Sequence, residues 1–318
     1  MINKIMNTQN IKKFFVLGNP IKHSQSPKIH ILFAEQFKEF DLQIDYQTYL
    51  VEMDFFHENL QKISEIPNIC GLNITVPFKE QAYLASIENL SEFAEIAQSV
   101  NTLKFDSINK IWLGYNTDGI GLVNDIKNRL QYSIKDKNIL LLGAGGAAKG
   151  VIFPLLSENP KSIFIANRTK QKADLLVKNF DVYKNQNTIL QSDDLLFSNI
   201  LKNNIKFDII INATAASLHN QNIIIPDNLI NSNNSNNSNN SNNSNNVVLI
   251  YDMMYAKNSA TNFLTNFATS AKNHNNLILS DGLGMLIEQA AKSFEIWNNK
   301  IPNTQIVYAT MRSFLDNN

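Results

Sequence analysis

The sequence predicts an α/β protein of two lobes, on three observations. Short apolar runs alternate with segments whose apolar residues fall at helical spacing, the pattern of β-α-β units that build a parallel sheet. One such run, residues 139–142, ends in a glycine cluster that opens onto a helix-forming segment. The 318 residues suffice for two domains of ordinary size, each with its own core.

Bulk composition narrows the function classes. Lys plus Arg and Asp plus Glu each number 28, so the net charge is zero, and neither nucleic acid nor an anionic membrane is an expected partner. The single cysteine, Cys70, can form no internal disulfide, and no Cys/His spacing resembles a metal site. No apolar run approaches the ~20 residues that span a bilayer. The run at 14–17 is cut short by Gly18, Asn19 and Pro20, too early for a secretory signal. A cytoplasmic protein is expected, as a monomer or homodimer.

Residues 1–119 read as one α/β lobe with no glycine-rich phosphate loop. Residues 14–17 form a strand, and 27–37 form a helix opened by Pro27, with Ile29, Leu32, Phe33 and Phe37 at helical spacing. Residues 44–51 are extended, Asp54 caps a helix through 63, and 68–76 return to strand. Pro77 starts a helix carrying Phe78, Lys79 and Glu80; a short helix at 91–99 follows, and 102–105 pairs with 111–114 as a hairpin.

A helix at 119–130 bridges into a second lobe, 120–282. There residues 137–150 read KNILLLGAGGAAKG: a strand buried on both faces, a tight turn and a helix. Gly143 and Gly145 supply backbone freedom and close approach, and Ala148 takes the third small position of a G-x-G-x-x-G/A fingerprint. The turn from Gly143 through Ala144, Gly145 and Gly146 to Ala147 then aims free N–H groups at a pyrophosphate. A plain glycine turn is the alternative reading. The next strand, 163–166, leads into Asn167, Arg168 and Thr169, where NAD-binding Rossmann-type folds place an acid on the ribose 2′-hydroxyl. An Arg beside a hydroxyl, with Lys172 one turn on, suits a 2′-phosphate and favours NADP over NAD; ordinary solvated residues at a helix start are the alternative.

Further strands are expected at 208–212, 247–251 and 277–279, with a helix at 262–271. Residues 231–246 contain only Asn and Ser and read as a disordered surface insertion. A long helix at 282–298 carries a buried stripe of Leu283, Leu286, Ile287, Ala290, Phe294 and Trp297, with Gln289 off it, and a final helix covers 302–315. These C-terminal helices, 283–318, are expected to complete the first lobe and leave a cleft between the lobes.

The motifs GNPIKHSQSPKIH, NITVPFKE, SVNTL, GYNTDG, LLGAGGAAKG, ANRTKQKA, INAT, YDMMY and DGLGMLIEQAA occur in this order between residues 18 and 292. In them the sequence resembles shikimate dehydrogenase, the NADP-dependent family of aromatic amino acid and chorismate biosynthesis. The resemblance implies a substrate lobe, a Rossmann-type NADP lobe, and reversible reduction of 3-dehydroshikimate to shikimate. It implies that Lys79 handles the hydroxyl proton with Asp118 beside it. A hydride leaves a carbinol carbon cheaply only if the O–H proton leaves too, and the two groups are expected to act as a coupled pair. Ser24 and Ser26 are implied for the substrate carboxylate; Asn73, Thr75, Asn101, Tyr255 and Gln289 join Lys79 and Asp118 on its hydroxyls. Taken singly, the serines read as turn or cap residues, Asn101 as a turn former and Gln289 as a solvated helix residue. On the cofactor side the resemblance adds Glu92 to the glycine loop, Asn167, Arg168, Thr169 and Lys172, and places Met253 and Gly282 near the nicotinamide.

The chain departs from the family pattern at four places. Ala215, Ala216, Ser217 and Leu218 follow Thr214 where a Ser or Pro and Gly-Met are usual, Lys172 replaces a second Arg, Met254 replaces a Phe, and the Asn/Ser tract is an insertion. The five histidines read as structural or exposed, with His23 the one expected to line the site. The competing readings are an NAD-dependent quinate/shikimate dehydrogenase, a non-catalytic NADP-sensing module, and an interaction protein organised by the polar tract.

Overall fold

A computed structural model describes residues 11–214, 223–231, 247–270 and 276–317. The chain divides into two compact units, Met1–Gly121 with Ile287–Met311, and Leu122–Leu286 with Arg312–Asn318.

In the first unit the chain runs β1 (Lys12–Gly18), α1 (Ser26–Glu35), β2 (Ile44–Leu50), α2 (Phe56–Ser64), β3 (Ile69–Ile74), α3 (Lys79–Ala85), α4 (Glu92–Ala97), β4 (Thr102–Asp106) and β5 (Ile111–Tyr115), and enters α5 (Asp118–Asn124). Its sheet has the order β2-β1-β3-β4-β5, with β1 parallel to β2 and β3, and β4 antiparallel to β3 and β5. Leu17, Leu72, Ile74, Phe78 and Leu103 are buried together beneath it. Two helix starts differ from expectation. Asp54 does not cap α2, which begins at Phe56 after an uncapped Phe55. Pro77 does not open α3 either: Phe78 donates its N–H to Thr75 O in a turn that occupies residues 75–78, so helical geometry begins at Lys79.

The second unit contains β6 (Asn138–Leu142), α6 (Gly146–Ser157), β7 (Ser162–Ala166), α7 (Lys170–Phe180), β8 (Ile189–Asp193), α8 (Ser198–Lys202), β9 (Ile209–Asn212), β10 (Val248–Asp252), α9 (Asn262–Ser270) and β11 (Leu277–Ser280). The strand order is β11-β10-β9-β6-β7-β8 and every neighbouring pair is parallel. This is the doubly wound arrangement whose order reverses at the first strand: Leu142 at the end of β6 lies opposite Ala166 of β7 on one side and Asn212 of β9 on the other. Ile139 to Leu142 are wholly buried, as a central parallel strand covered on both faces requires.

Strand β8 and helix α8 were not expected. The edge strand β8 shows too few apolar residues to signal itself, and α8 is stabilised from outside its own sequence: the buried Asp193 carboxylate accepts the N–H groups of Asn199 and Ile200 at 3.0 and 2.9 Å. The bridging helix is also not uniform. After Asn124 it widens into a π-turn at Asp125–Arg129, closed by Leu130 N–H on Asp125 O. The expected polar insertion lies outside the described residues apart from Asn231, whose amide donates to Asp208 Oδ1 at 2.6 Å. Ala215, Ala216, Ser217 and Leu218 lie outside them too.

Helix α10 (Leu283–Asn298) spans the boundary of the units and α11 (Thr304–Asn317) closes the chain. Burial on α10 differs from the expected stripe: Leu286 is only half-buried, whereas Met285, Glu288, Ala291 and Ser293 are buried as well, and Gln289 is half-buried. Polar partners explain part of this, since Ser293 bonds Asn73 and Thr102 inside the first unit. Residues 312–318 cluster with the second unit rather than the first because Arg312 donates to Ala256 O at 2.9 Å and to the buried Asp281 carboxylate at 2.5 Å.

Trp297 fixes α10 in the first unit by donating its indole N–H to Leu103 O at 3.0 Å while packing over Gly71, where a Cβ would stand 2.2 Å from the indole nitrogen. Gly71→Ala should therefore cost about 1–3 kcal/mol of stability through overpacking. A thermal or urea melt would show it, and an unchanged midpoint would contradict this packing.

Candidate active site

Two helix starts in the first unit deliver opposite charges to one point. Lys79 is the first residue of α3 and Asp118 the first of α5, and Lys79 Nζ lies 2.5 Å from Asp118 Oδ2. The lysine side chain is 29% exposed and the aspartate 14%, so the pair can reach a ligand without being dispersed in water. Asp118 sits where a helix N-terminus stabilises an anion, whereas Lys79 sits where a helix disfavours a cation and gains a carboxylate instead.

Asn101, which precedes β4, turns the other carboxylate oxygen. Its amide Nδ2 donates to Asp118 Oδ1 at 2.8 Å and faces Thr117 Oγ1 at 3.0 Å and Gln289 Oε1 at 3.3 Å. Its Oδ1 accepts from Thr117 N–H at 2.9 Å and from the Thr102 hydroxyl at 3.0 Å. Four of the expected residues, Lys79, Asp118, Asn101 and Gln289, thus form one hydrogen-bonded cluster.

Asn73 belongs to a deeper layer. Its Oδ1 accepts from Tyr46 Oη at 2.7 Å and His30 Nε2 at 3.1 Å, while its Nδ2 donates to Thr102 Oγ1 and Ser293 Oγ, both at 3.1 Å. Its amide is spent on protein partners. Because Oδ1 can only accept, His30 Nε2 carries the proton and its Nδ1, which finds no partner among the described residues, is a bare lone pair. Burial pushes the His30 imidazole down to about 3, against a smaller opposing effect of the Asn73 bond. Burial likewise raises the Tyr46 hydroxyl well above its usual value, opposed by a hydrogen bond with Ser26. His30, not the exposed His23, is the histidine that joins this network.

The serines stand at the entry to α1: Ser26 is buried and donates its N–H to Ser24 Oγ at 3.3 Å. Thr75 is half-buried at the end of β3, its N–H on Leu17 O at 2.9 Å. Glu92 is exposed at the start of α4, in the first unit.

In the second unit Gly143 follows β6 with φ +107°, a conformation open to glycine, and α6 begins at Gly146 with no side-chain cap. A Cβ on Gly145 or Gly146 would meet nothing within 4 Å, so the space beside this uncapped helix start is open, with Ala144 half-buried and Ala147 exposed next to it. After β7, Asn167 donates its amide to Thr169 O at 2.9 Å, leaving Arg168, Thr169 and Lys172 exposed. Neither Arg168 nor Lys172 has an ion pair among the described residues, whereas neighbouring Lys170 is paired with Asp174 at 2.6 Å. Bare N–H groups at the strand-order reversal, and two available cations with no acid at the end of β7, fit a dinucleotide carrying a 2′-phosphate. Met253 and Gly282 touch: a Cβ on Gly282 would stand 2.1 Å from Met253 O, and Gly282 N–H donates to Met254 O at 2.9 Å. Tyr255 lies in the same loop, its hydroxyl raised first by burial and then by the charge of Asp281.

Three family models match along the chain: a shikimate dehydrogenase substrate-binding domain over residues 16–103, shikimate/quinate 5-dehydrogenase over 125–252, and a shikimate 5′-dehydrogenase C-terminal domain over 282–312. The chain belongs to the shikimate dehydrogenase family. It is 44% identical to the shikimate dehydrogenase (NADP+) of Ruthia magnifica, over 95% of this chain and 99% of that one. It is 41% identical to that of Nitrosomonas eutropha, over 95% and 97%. The crystal structure of shikimate 5-dehydrogenase from Thermus thermophilus in complex with shikimate superposes with a TM-score of 0.73 at 26% identity, covering 96% of this chain and 99% of that one.

Of the layer behind Lys79 and Asp118, sequence reasoning singled out Asn73 and missed His30, Tyr46, Thr102 and Ser293. His30 carried a signal, since it continues the buried face Ser26, Ile29, Phe33 of α1. Tyr46, Thr102 and Ser293 carried none, because their partners come from other elements. Among the described residues no group of three or more His, Cys, Asp or Glu could hold a metal ion, and no helix is long and apolar enough to cross a membrane.

His30 predicts a pH dependence of stability. Its folded value of about 3 lies below the ordinary 6.5, so between these limits the unfolded chain binds more protons and stability falls as pH falls. A His30→Asn variant should lose part of that slope; equal slopes in wild type and variant by urea unfolding across this window would refute the assignment.

Proposed function

We propose that the protein catalyses the reversible NADPH-dependent reduction of 3-dehydroshikimate to shikimate, acting in the cytoplasm as a monomer or homodimer. The observation that carries this reading is the Lys79–Asp118 pair at 2.5 Å, steadied by Asn101 and adjoined by Gln289.

The Lys79 ammonium holds the proton that the substrate's ketone oxygen takes up on becoming a hydroxyl, and in the oxidative direction it receives that proton back. Asp118 keeps the ammonium aimed through Oδ2 and is itself held through Oδ1 by Asn101. Ser24 and Ser26 hold the substrate carboxylate, and Thr75, Gln289 and Tyr255 serve its hydroxyls. Asn73, from the deeper layer, is assigned with them to the substrate hydroxyls. The glycine turn from Gly143 to Ala147 would hold the cofactor pyrophosphate, and Asn167, Arg168, Thr169 and Lys172 its adenosine 2′-phosphate. Glu92, Met253 and Gly282 complete the cofactor set. When bound, NADPH supplies the hydride.

Shikimate and quinate, each with NADP+ and NAD+, should be assayed by absorbance of the reduced nicotinamide. Shikimate with NADP+ is expected to be the preferred pair, and preference for quinate with NAD+ would overturn the proposal. Lys79→Ala should lower kcat by ~10²–10⁴; unchanged turnover would remove its role and favour a non-catalytic module. Arg168→Ala should raise the KM for NADP+ roughly ten- to hundredfold, the worth of a charge-assisted contact, and leave that for NAD+ nearly unchanged; equal effects on both would place the 2′-phosphate elsewhere.

A further inference from the structure

An asparagine amide presents a donor and an acceptor of nearly equal shape, so its sense must be imposed by its surroundings. For Asn101 the sense matters. With Nδ2 toward Asp118 it binds the carboxylate at 2.8 Å; reversed, it would press a carbonyl oxygen against an anion.

The chain of bonds that imposes this sense begins in the core. Tyr46 Oη and His30 Nε2–H occupy Asn73 Oδ1, which turns Asn73 Nδ2 toward Thr102 Oγ1 and Ser293 Oγ. These hydroxyls lie 2.7 Å apart. Each hydroxyl has one proton: Ser293 gives its own to Thr102 Oγ1, with the Gln289 carbonyl at 3.0 Å as a second acceptor, and Thr102, receiving from both Asn73 and Ser293, gives its own to Asn101 Oδ1 at 3.0 Å. Together with the Thr117 N–H this holds Asn101 Oδ1 away from Asp118. Thr102 and Ser293 are wholly buried, so no water substitutes for their hydroxyls at the surface.

We propose that Thr102 and Ser293 are positioning residues for the proton-transfer pair, setting the Asn101 amide so that it holds the Asp118 carboxylate against Lys79. The proposal rests on the proton role given to Lys79 and Asp118 above.

The test compares Thr102→Val, which keeps the branched shape and removes the hydroxyl, with Thr102→Ser, which keeps the hydroxyl, and with Ser293→Ala. Thr102→Val should lower kcat roughly tenfold or more with a smaller change in the KM for shikimate, and should displace the pH profile of kcat/KM. Ser293→Ala should do the same more weakly, and Thr102→Ser should restore both parameters. A Thr102→Val enzyme with wild-type kcat and profile, or a Thr102→Ser enzyme as impaired as Thr102→Val, would overturn the proposal. Labelling of Lys79 by an amine reagent across pH, read by peptide mass spectrometry, gives a second readout independent of turnover. Its profile should shift in Thr102→Val and not in Thr102→Ser, and no shift in either variant would refute the chain of bonds. Absence of wild-type shikimate oxidation would instead count against the proposed function, and the labelling profile would still decide the positioning role.

Discussion

The structure of the first unit turns on a cation placed where a helix does not welcome one. Lys79 opens α3, against the positive end of its peptide dipoles, and what makes the position tenable is a carboxylate 2.5 Å away. That carboxylate opens α5, where the same dipole effect works in its favour. Asp118 is therefore anchored twice over and can serve as the fixed member of the pair, with the longer lysine side chain as the mobile one. The sheet supports this division: β3 delivers the turn before α3, β4 starts directly after Asn101, and the hairpin of β4 and β5 brings residues 116–118 back beside it.

Legibility from sequence followed the range of the forces involved. The buried strands β6, β7, β9 and β10 announced themselves because a parallel strand covered on both faces is apolar at every position, and the Gly143 turn because φ +107° excludes other residues. Lys79, Asp118, Asn101 and Gln289 were legible as motif members, and the structure assembles them by hydrogen bonds within one unit. Strand β8 and helix α8 were not, since one is an edge strand with alternating exposure and the other is held by Asp193. The Asp54 cap failed for a related reason: a good capping residue gives no help when the chain enters the helix one residue later, at Phe55.

The same contrast separates the two halves of the nucleotide unit. At the glycine turn the residues matter for what they leave open, because Gly145 and Gly146 keep side-chain atoms away from free N–H groups. At Gly282 a glycine matters for what it lets in, the Met253 carbonyl at a distance no Cβ tolerates. The loop so held is secured again by Asp281, whose carboxylate takes Arg312 on one oxygen and the Ala256 N–H on the other. A residue near the C-terminus thereby fixes the loop that carries Met253 and Tyr255, a dependence with no signature in the local sequence.

Two of the close ion pairs among the described residues, Arg129–Asp125 and Lys79–Asp118, differ in how fully their donors and acceptors are used. Asp125 is wholly buried, takes Arg129 on both oxygens at 2.6 and 2.8 Å, accepts Tyr251 Oη at 2.7 Å, and lies so close to Gly284 that a Cβ there would reach 1.8 Å from Oδ1. Both of its oxygens are engaged by protein donors, and removing a partner from such a pair typically costs ~3–5 kcal/mol. Asp118 has one oxygen on Asn101 and one on Lys79, and the Lys79 ammonium keeps donors for a ligand. Saturation makes the first pair a fastener for the π-turn and β10, whereas the second leaves ammonium donors open to a ligand.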